Sequence, residues 1–484
     1  MSSVSSVSSL LGSQRQQPNT KEDLEEIEKI ARTFVNGDQA NGAADAWENI
    51  SKKKRKRLFR KAENVYRGRG LKKNVKRKRS NLRESKKTRR SRESVDIATC
   101  EFICSSTMRA VIPYVHEFST YTKERWIGRG LFDVYSSEFS AHPSSYYRQA
   151  ISQGMITVNG EKCSGINHLL KNGDKIIHRT HRHEPPVICG PLKICHQSDD
   201  VLVIDKPSTI PVHPCGAYYH NSLTHILRKE HPDLWPVHIV HRLDRLTSGL
   251  VLLARNRDFA RKVCLEIEKK TVQKTYLALV RGKFPTDLDA MVAHIDVKNL
   301  ELHGGTVKVV PGEHGEKFIE VSVPQRCLDP KNGVYECHAE GKSATTLIKC
   351  IGHKRIGANR QGSVVVCMPR TGRTHQIRLH LQFLGFPIGN DPNYGPPETN
   401  VETIASKSEV FRPLPATAAP DTDLGRLKAL CSYCNGGSSA TFTNTQLRHT
   451  GIWLHALKYK GSDWEYQVGR PEWAGGLQEN RVVS

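Results

Sequence analysis

The chain has 484 residues, 13 cysteines and a formal net charge of +24, and this length is sufficient for roughly three domains. Residues 52–92 hold 22 Lys and Arg against two Glu, so a net +20 of that charge belongs to this segment and the rest of the chain is close to neutral. No apolar run approaches the ~18 residues that a membrane-spanning helix needs, which favours a soluble protein.

The N-terminal residues 1–100 are predicted to be a disordered, strongly basic tail, apart from a short acidic helix at residues 21–34. Its basic clusters suit nuclear import or non-specific binding to RNA phosphates, and a solvated tail without a specific role is the alternative. We expect the protein in the nucleus, the cytoplasm or both, because a mitochondrial presequence is Arg-rich and amphipathic, whereas residues 1–19 have one basic residue, Arg15, and residues 21–34 are rich in acid. We expect the cysteines of the whole chain to be reduced thiols.

Residues 109–187 are predicted to form an entry segment and a small module. The pattern predicts a helix over residues 146–154 that ends at a glycine, a hairpin with an Asn-Gly turn, and a further strand after a Gly-Asp turn. This order resembles the αL-type RNA-binding module known from ribosomal proteins. The resemblance makes Arg148 and Lys162 candidate RNA contacts.

Residues 188–475 are predicted to form the main domain, in which residues 240–250 are the most informative stretch. The stretch places the carboxylate of Asp244 between the guanidinium groups of Arg242 and Arg245 and then continues as an apolar strand. Nearby cations stabilise the anionic form of a carboxylate, as a nucleophile requires. We therefore predict an active-site loop, with a surface ion pair at a strand edge as the structural alternative.

The rest of this domain follows with further recognisable segments. Strands are predicted at 201–204, 274–282 and 452–459, helices at 222–228, 258–269 and within 371–381, and a surface insertion at 399–430. The turn and helix of residues 371–381 are predicted to present Gln376, Arg378 or His380 to the cleft.

The sequence His-Arg-Leu-Asp-Arg-x-Thr-Ser-Gly-Leu at residues 241–250 resembles the signature loop of the RluA-type pseudouridine synthases, and residues 274–276 and 371–381 match later motifs of that family in order. The resemblance covers residues 109–475. It implies an α+β fold, in which a catalytic domain with a mixed, largely antiparallel sheet and a central cleft follows the αL-type module. It also implies isomerisation of uridine to pseudouridine in RNA without a cofactor.

The same resemblance implies a role for each site residue. Asp244 either attacks the anomeric carbon of the sugar or removes a ribose proton, and Arg242 fills the space that the flipped base leaves. Arg378 pairs with Asp244, and Tyr276 covers the base and is a candidate for the final proton transfer. The remaining candidate RNA contacts in this domain are Arg245, Lys274, Arg373 and Gln376.

Two other classes of protein compete with this interpretation. A non-catalytic RNA-binding protein on a synthase fold is disfavoured because Asp244 and Arg242 are both present. A nucleobase deaminase would use His338 and the Cys431-x-x-Cys434 pair, but the residues beside the cysteines and their distance from the histidine do not match. A single Cys-x-x-Cys pair is also weak evidence for a metal, and none is predicted.

The RNA substrate follows only from the resemblance to eukaryotic members of the family. These favour tRNA as the partner, with a uridine of the anticodon stem-loop as the target and the protein acting as a monomer. Ribosomal or messenger RNA is the alternative.

Overall fold

The structure is a computed structural model, and it describes residues 100–104, 108–139, 141–330, 333–356, 360–395, 422–431, 434 and 451–477. The predictions for the basic tail and for residues 399–421 of the expected insertion lie outside these ranges.

The first part of the described chain builds a small module from two antiparallel sheets and two helices. Its elements are β1 (Phe102–Cys104), β2 (Met108–Val111), β3 (Tyr114–Tyr121), α1 (Leu131–Glu138), α2 (Ser144–Ser152), β4 (Ile156–Val158), β5 (Glu161–Lys162), β6 (Lys175–Arg182) and β7 (Val187–Ile188). The strand orders are β1-β2-β7 and β3-β6-β4-β5. Asn159 and Gly160 have φ angles of 55° and 88°, the left-handed geometry of a two-residue hairpin turn. The predicted helix and Asn-Gly hairpin are confirmed.

The following residues build one large sheet, one two-stranded sheet and the helices around them. The elements are β8 (Lys193–Gln197), β9 (Val201–Lys206), α3 (Leu223–Glu230), β10 (His238–Ile239), β11 (Ser248–Ala254), α4 (Arg257–Glu268), β12 (Gln273–Arg281), α5 (Leu288–Ala293), α6 (Val297–Leu302), β13 (Thr306–Pro311), β14 (Lys317–Ser322), β15 (Gln325–Asp329), β16 (Val334–Cys337), β17 (Thr345–Ile356), β18 (Arg360–Pro369), α7 (Gln376–Phe383), α8 (Asp423–Leu430), β19 (Leu454–Lys460) and β20 (Glu465–Gln467). Strands β15 and β16 form the two-stranded sheet.

The large sheet has eleven strands in the order β13-β14-β17-β18-β12-β19-β11-β9-β8, with β10 beside β11 and β20 beside β19. Its pairings are antiparallel except between β11 and β19, which are parallel. The α+β class and the mixed, largely antiparallel sheet are thus confirmed. Each strand predicted from the apolar runs is present, and β11 is buried from Gly249 to Ala254.

The parallel contact between β11 and β19 depends on Gly249. This residue has φ of +107°, and a Cβ atom on it would lie 2.2 Å from the carbonyl oxygen of Ala456. Only glycine tolerates both the dihedral angle and the close approach of the neighbouring backbone. The glycine of the signature stretch therefore fixes residues 240–247 beside β19 and β12, at the centre of the sheet.

Residues 423–430, the last part of the predicted surface insertion, are helical. They form α8, which packs on the module: the side chain of Leu427 is 2% exposed within the cluster that includes Tyr147 and Ile156. Asp423 at the start of α8 pairs with Arg179 of β6 at 2.5 Å. The sequence of α8 is short and only weakly periodic, so its partner was not visible before the fold was known.

Two further observations bear on the sequence predictions. Cys104 and Cys189 form a disulfide, which corrects the expectation that all thiols are reduced. The strand order β1-β2-β7 brings these two cysteines together although 85 positions separate them. In the ranges that the structure describes, no helix is both long enough and apolar enough to cross a membrane.

Candidate active site

The loop of residues 240–247 forms one wall of a cleft of about 440 Å³. The end of α4 and the start of β12 contribute a second wall, and residues 369–378 contribute the third. Asp244, Arg242, Lys274, Tyr276, Arg373, Gln376 and Arg378 line this cleft, so the structure brings together seven of the residues singled out in the sequence. Arg148 and Lys162 lie on the module, exposed to solvent, and do not line the cleft.

Asp244 presents a half-buried carboxylate to this space, with 27% of its side chain exposed. Its main-chain carbonyl accepts a hydrogen bond from the amide of Thr247 at 3.2 Å, which holds the loop in a turn. Arg242 is exposed at the wall of the cleft. Arg245 lies behind the loop, with its guanidinium carbon 5.3 Å from the centre of the Tyr218 ring. The two flanking arginines therefore lie in different environments.

Lys206 holds this loop from below, a role that its sequence context does not indicate. Its ammonium group is buried and donates to the carbonyls of Pro207 and Ile210, both at 2.8 Å, and of Arg245 at 3.3 Å. Burial, followed by the charge of Arg245, lowers the pKa of Lys206 to about 7. Lys206, the last residue of β9, thus ties the following segment to the signature loop.

Tyr276 lies where the two main hydrophobic clusters of the domain meet, and it packs against both. A bulge between Thr275 and Tyr276 shifts the register of β12 against β19, and the Tyr276 hydroxyl lies 2.5 Å from that of Tyr459. Burial, with a contribution from the charge of Asp244, raises the pKa of Tyr276 above its usual value. The phenol is therefore protonated at neutral pH.

Arg378 does not make the contact predicted for it. Its guanidinium forms a two-fold ion pair with Asp391, at 2.5 and 2.7 Å, and both side chains are almost fully buried. Burial would raise the pKa of Asp391, but the hydrogen bonds and the charge of Arg378 lower it. The prediction that Arg378 pairs with Asp244 is wrong because a second carboxylate, 13 residues further along the chain, binds two of its three guanidinium nitrogens, Nε and Nη2.

Two other residues of the same segment also point inward. The side-chain carbonyl of Gln376 accepts hydrogen bonds from the Thr371 hydroxyl and from the main-chain amide of Arg373. Its side-chain amide donates to the main-chain carbonyl of Thr345 and to the Thr346 hydroxyl. Gln376 therefore holds residues 371–373 against β17. His380 is fully buried against Thr346 and Val323, and does not line the cleft.

His375 is a further site residue, which was not predicted from the sequence. Its Nε2 atom lies 3.9 Å from an Asp244 carboxylate oxygen, and its Nδ1 atom lies 2.8 Å from the Tyr394 hydroxyl. The left-handed backbone of His375, with φ of 59°, begins α7 and turns the ring toward Asp244. Burial and then the charge of Arg378 lower the pKa of His375 to about 4, so its ring is neutral at pH 7. A histidine just before a helix carries no periodic signal.

The charges in the cleft favour an anionic ligand. Six Lys and Arg residues line it against two acidic residues, Asp244 and Glu268. The basic residues are Arg242, Lys270, Lys274, Arg370, Arg373 and Arg378. Arg378 is neutralised by Asp391, and the others are exposed or half-buried. Clefts lined by charge of one sign concentrate ligands of the opposite sign, and RNA phosphates are such ligands.

Comparison with known proteins, like the charges of the cleft, indicates a protein that acts on RNA. A family model described as RNA pseudouridylate synthase matches residues 200–383. RNA pseudouridine synthase 7 of Arabidopsis thaliana is 35% identical, with 77% of this chain and 88% of the relative covered. Two Saccharomyces cerevisiae proteins are similar. The mitochondrial tRNA pseudouridine(32) synthase is 32% identical over 77% of this chain and 78% of the relative. The tRNA pseudouridine(31) synthase is 31% identical over 78% of this chain and 98% of the relative.

The family match at residues 200–383 includes the loop around Asp244, β12 and α7, and the cleft contains the carboxylate, arginine and tyrosine of those motifs. The chain therefore belongs to the RluA-type RNA pseudouridine synthases, and it is an isomerase.

Proposed function

We propose that the protein isomerises a uridine in the anticodon stem-loop of tRNA, with Asp244 as the catalytic carboxylate. The observation that carries this proposal is a half-exposed aspartate at the wall of a positively charged cleft, beside a neutral histidine. A carboxylate with 27% of its side chain exposed is accessible to a sugar and does not need to be uncovered first.

The reaction needs no redox partner and no added group. The bond between N1 of uracil and C1′ of ribose breaks, the base turns, and C5 of uracil bonds to C1′, while N1 gains a proton and C5 loses one. Asp244 either forms a temporary bond to C1′ or removes a ribose proton, and both routes begin from the carboxylate anion. The His375 ring lies 3.9 Å from the Asp244 carboxylate and is neutral, so it places no positive charge beside that anion.

The cleft has room for one flipped nucleotide. Its volume of about 440 Å³ lies within the roughly 300–1,000 Å³ range of small-molecule sites, whereas a stacked helix does not fit. The target base must therefore leave its stack, at a cost of a few kcal/mol. Arg242, exposed at the wall of the cleft, is the residue that we assign to the vacated space.

Tyr276 is assigned to cover the flipped base. Its ring lines the cleft, while its hydroxyl bonds to Tyr459. Because its raised pKa keeps the phenol protonated, Tyr276 is a poor base for removing the proton from C5 without help. Tyr276 stays a candidate for the last proton transfer.

The choice of tRNA rests on the two yeast relatives, whose names place their products at positions 31 and 32 of tRNA. Both positions belong to the anticodon stem-loop. Lys274 and Arg373 in the cleft, with Arg148 and Lys162 on the module, are assigned to the RNA backbone because charged side chains bind phosphates without reading sequence. Arg245 and Gln376, which were candidate RNA contacts, are assigned instead to holding the loops.

The substrate is tested with transcripts of the tRNA, of its isolated anticodon stem-loop and of a ribosomal RNA fragment. We expect pseudouridine in the first two, at one or two positions of the stem-loop, and none in the third. Product in the ribosomal fragment alone would contradict the tRNA assignment while leaving the isomerase assignment intact. Mapping pseudouridines in a strain that lacks the gene tests the same point in cells.

The basic segment at residues 52–92 supports placement in the nucleus or cytoplasm, where it acts as an import signal or an RNA tether. One yeast relative carries the word mitochondrial in its name, so imaging of a tagged full-length chain must include a mitochondrial marker. We propose that the protein acts as a monomer, which light scattering tests.

A further inference from the structure

Four side chains of the types that bind metals meet on the module, outside the cleft. His181 lies in β6 and His183 follows it, while Cys431 caps the end of α8 and Cys434 follows one turn later. One donor atom from each residue lies within 4.8 Å of all the others. The two pairs are about 250 positions apart in the chain, at separations of 253 and 251 for the closest contacts.

The distances between these atoms fit a single tetrahedral ion. The Cys434 sulfur lies 3.3 Å from Nδ1 of His181 and 3.5 Å from Nε2 of His183, and the two ring nitrogens are 3.3 Å apart. Zinc–nitrogen and zinc–sulfur bonds in a tetrahedron place two nitrogens roughly 3.3 Å apart and a nitrogen and a sulfur roughly 3.5 Å apart. Three of the four donor atoms therefore already hold the spacing of a coordination shell, and the Cys431 sulfur lies within 4.8 Å of each of them.

We propose that His181, His183, Cys431 and Cys434 bind one Zn²⁺ ion, which pins α8 to the module. A site with two sulfurs and two nitrogens is typical of zinc and not of magnesium or calcium, which prefer oxygen. Four protein ligands close the coordination shell, so the ion is structural. A two-iron cluster would hold its cysteines and histidines on separate irons, farther apart than these atoms are.

The packing of α8 explains why a metal ion would stabilise this part of the module. This helix has eight residues, too few to be stable alone, and Gly425 and Leu427 are its buried residues. The pair of Asp423 with Arg179 also joins α8 to β6, but 48% and 38% of these side chains are exposed, and exposed pairs contribute little. A metal ion that joins the end of α8 to β6 would hold this short helix in place.

The site also lies at the junction between the module and the catalytic domain. Glu184, next to His183, is buried and accepts hydrogen bonds from the amides of Tyr219, His220 and Asn221, each at 2.9 Å. The segment from His181 to Glu184 is thus held by the metal on one side and by the approach to α3 on the other. None of the four ligands lines the active-site cleft, so the ion orients the module and takes no part in the chemistry.

The test measures metal in the full-length protein, purified under reducing conditions without a chelator. Mass spectrometry of the metal should find one zinc per chain. Cys434→Ser and His183→Asn should each lose most of it, whereas the controls Cys195→Ser and His196→Asn, which change exposed residues of β8, should keep it. Binding should release thiol protons, because zinc binds thiolates.

Cobalt provides a second readout that does not depend on the stability of the variants. After the wild-type protein is stripped by a chelator, Co²⁺ should restore the visible bands of a tetrahedral ion and the near-ultraviolet band of thiolate ligation, and Zn²⁺ should bleach them. Chelation should lower the melting temperature by several degrees and added zinc should restore it.

Three outcomes would overturn the proposal. Wild-type protein with far less than one zinc, and with no tetrahedral cobalt spectrum, would remove the site. Full metal content in both ligand variants would place the metal elsewhere. An intact mass that is two hydrogens lighter than the reduced pair, without bound metal, would assign Cys431 and Cys434 to a disulfide.

Discussion

Replacing either member of the Arg378–Asp391 pair tests how the cleft is built. The pair has two hydrogen bonds and side chains that are 3% and 0% exposed. Removing one partner of such a pair leaves a buried charge, at a cost of about 3–5 kcal/mol in the free energy of unfolding. We expect this loss for Arg378→Met and for Asp391→Asn, and a double variant that loses less than the sum by about 2–3 kcal/mol.

The matched control is the Lys317–Asp289 pair, which has a similar distance of 2.6 Å but side chains that are 62% and 63% exposed. Its coupling should be much weaker than that of the buried pair, because solvent screens exposed charges. Urea denaturation of the four variants in each cycle measures both values. Additive losses in the Arg378–Asp391 cycle would refute the reasoning, because they would mean that the two charges do not stabilise each other in the folded protein.

The pH dependence of this pair has a defined sign. The pKa of Asp391 is lowered in the folded protein, so its stabilisation is present above the usual carboxyl pKa of about 3.9 and disappears as the pH falls through the lower folded value. The wild type should therefore lose its advantage over Asp391→Asn only in acid. Relative to the wild type, folded Arg378→Met should lose the same factor in single-turnover rate at every pH between about pH 6 and pH 8, because Asp391 neutralises Arg378. Recovery at high pH would show that Arg378 acts directly on the ionisation of Asp244.

Three further changes should have distinct results. Deletion of residues 1–95 should keep the rate on a minimal stem-loop but reduce the slope of log affinity against log salt, since the tail neutralises phosphates; equal slopes would show that it does not contact RNA. Gly249→Ala should prevent soluble folding or lower the melting temperature strongly, because its Cβ would meet Ala456 at 2.2 Å; a melting temperature equal to the wild type would contradict the close approach. Tyr276→Phe, which breaks the bond to Tyr459, should keep RNA affinity and slow the step after bond cleavage, measured by quench-flow; an unchanged rate would remove the proton-transfer role.

The sequence predicted those features that depend on neighbours along the chain. The strands β11 and β12 follow from apolar runs, the Asn159–Gly160 turn follows from local dihedral preference, and the loop around Asp244 follows from a motif of consecutive residues. Each of these signals lies within about ten residues, the range over which periodicity and turn chemistry act. For that reason the fold class and the location of the cleft could be predicted.

The features that failed depend on contacts between distant segments. The partner of Arg378 could be Asp244 or Asp391 by charge alone, and only the path of the chain after α7 decides between them. His375 reaches Asp244 through one left-handed residue, which no pattern reports. The Cys431–Cys434 pair lacked partners nearby in sequence, and its histidines come from a strand about 250 positions earlier.

The most direct measurement of the central claim is the single-turnover rate of Asp244→Asn on the stem-loop substrate, beside Glu268→Gln, which changes the other carboxylate in the cleft. We predict that Asp244→Asn lowers the rate by more than about a thousand-fold with RNA affinity within a few-fold of the wild type, since the substitution removes a charge at nearly constant volume. Glu268→Gln should remain close to the wild type. An Asp244→Asn variant that retains more than about a tenth of the wild-type rate would contradict the assignment of Asp244 as the catalytic carboxylate.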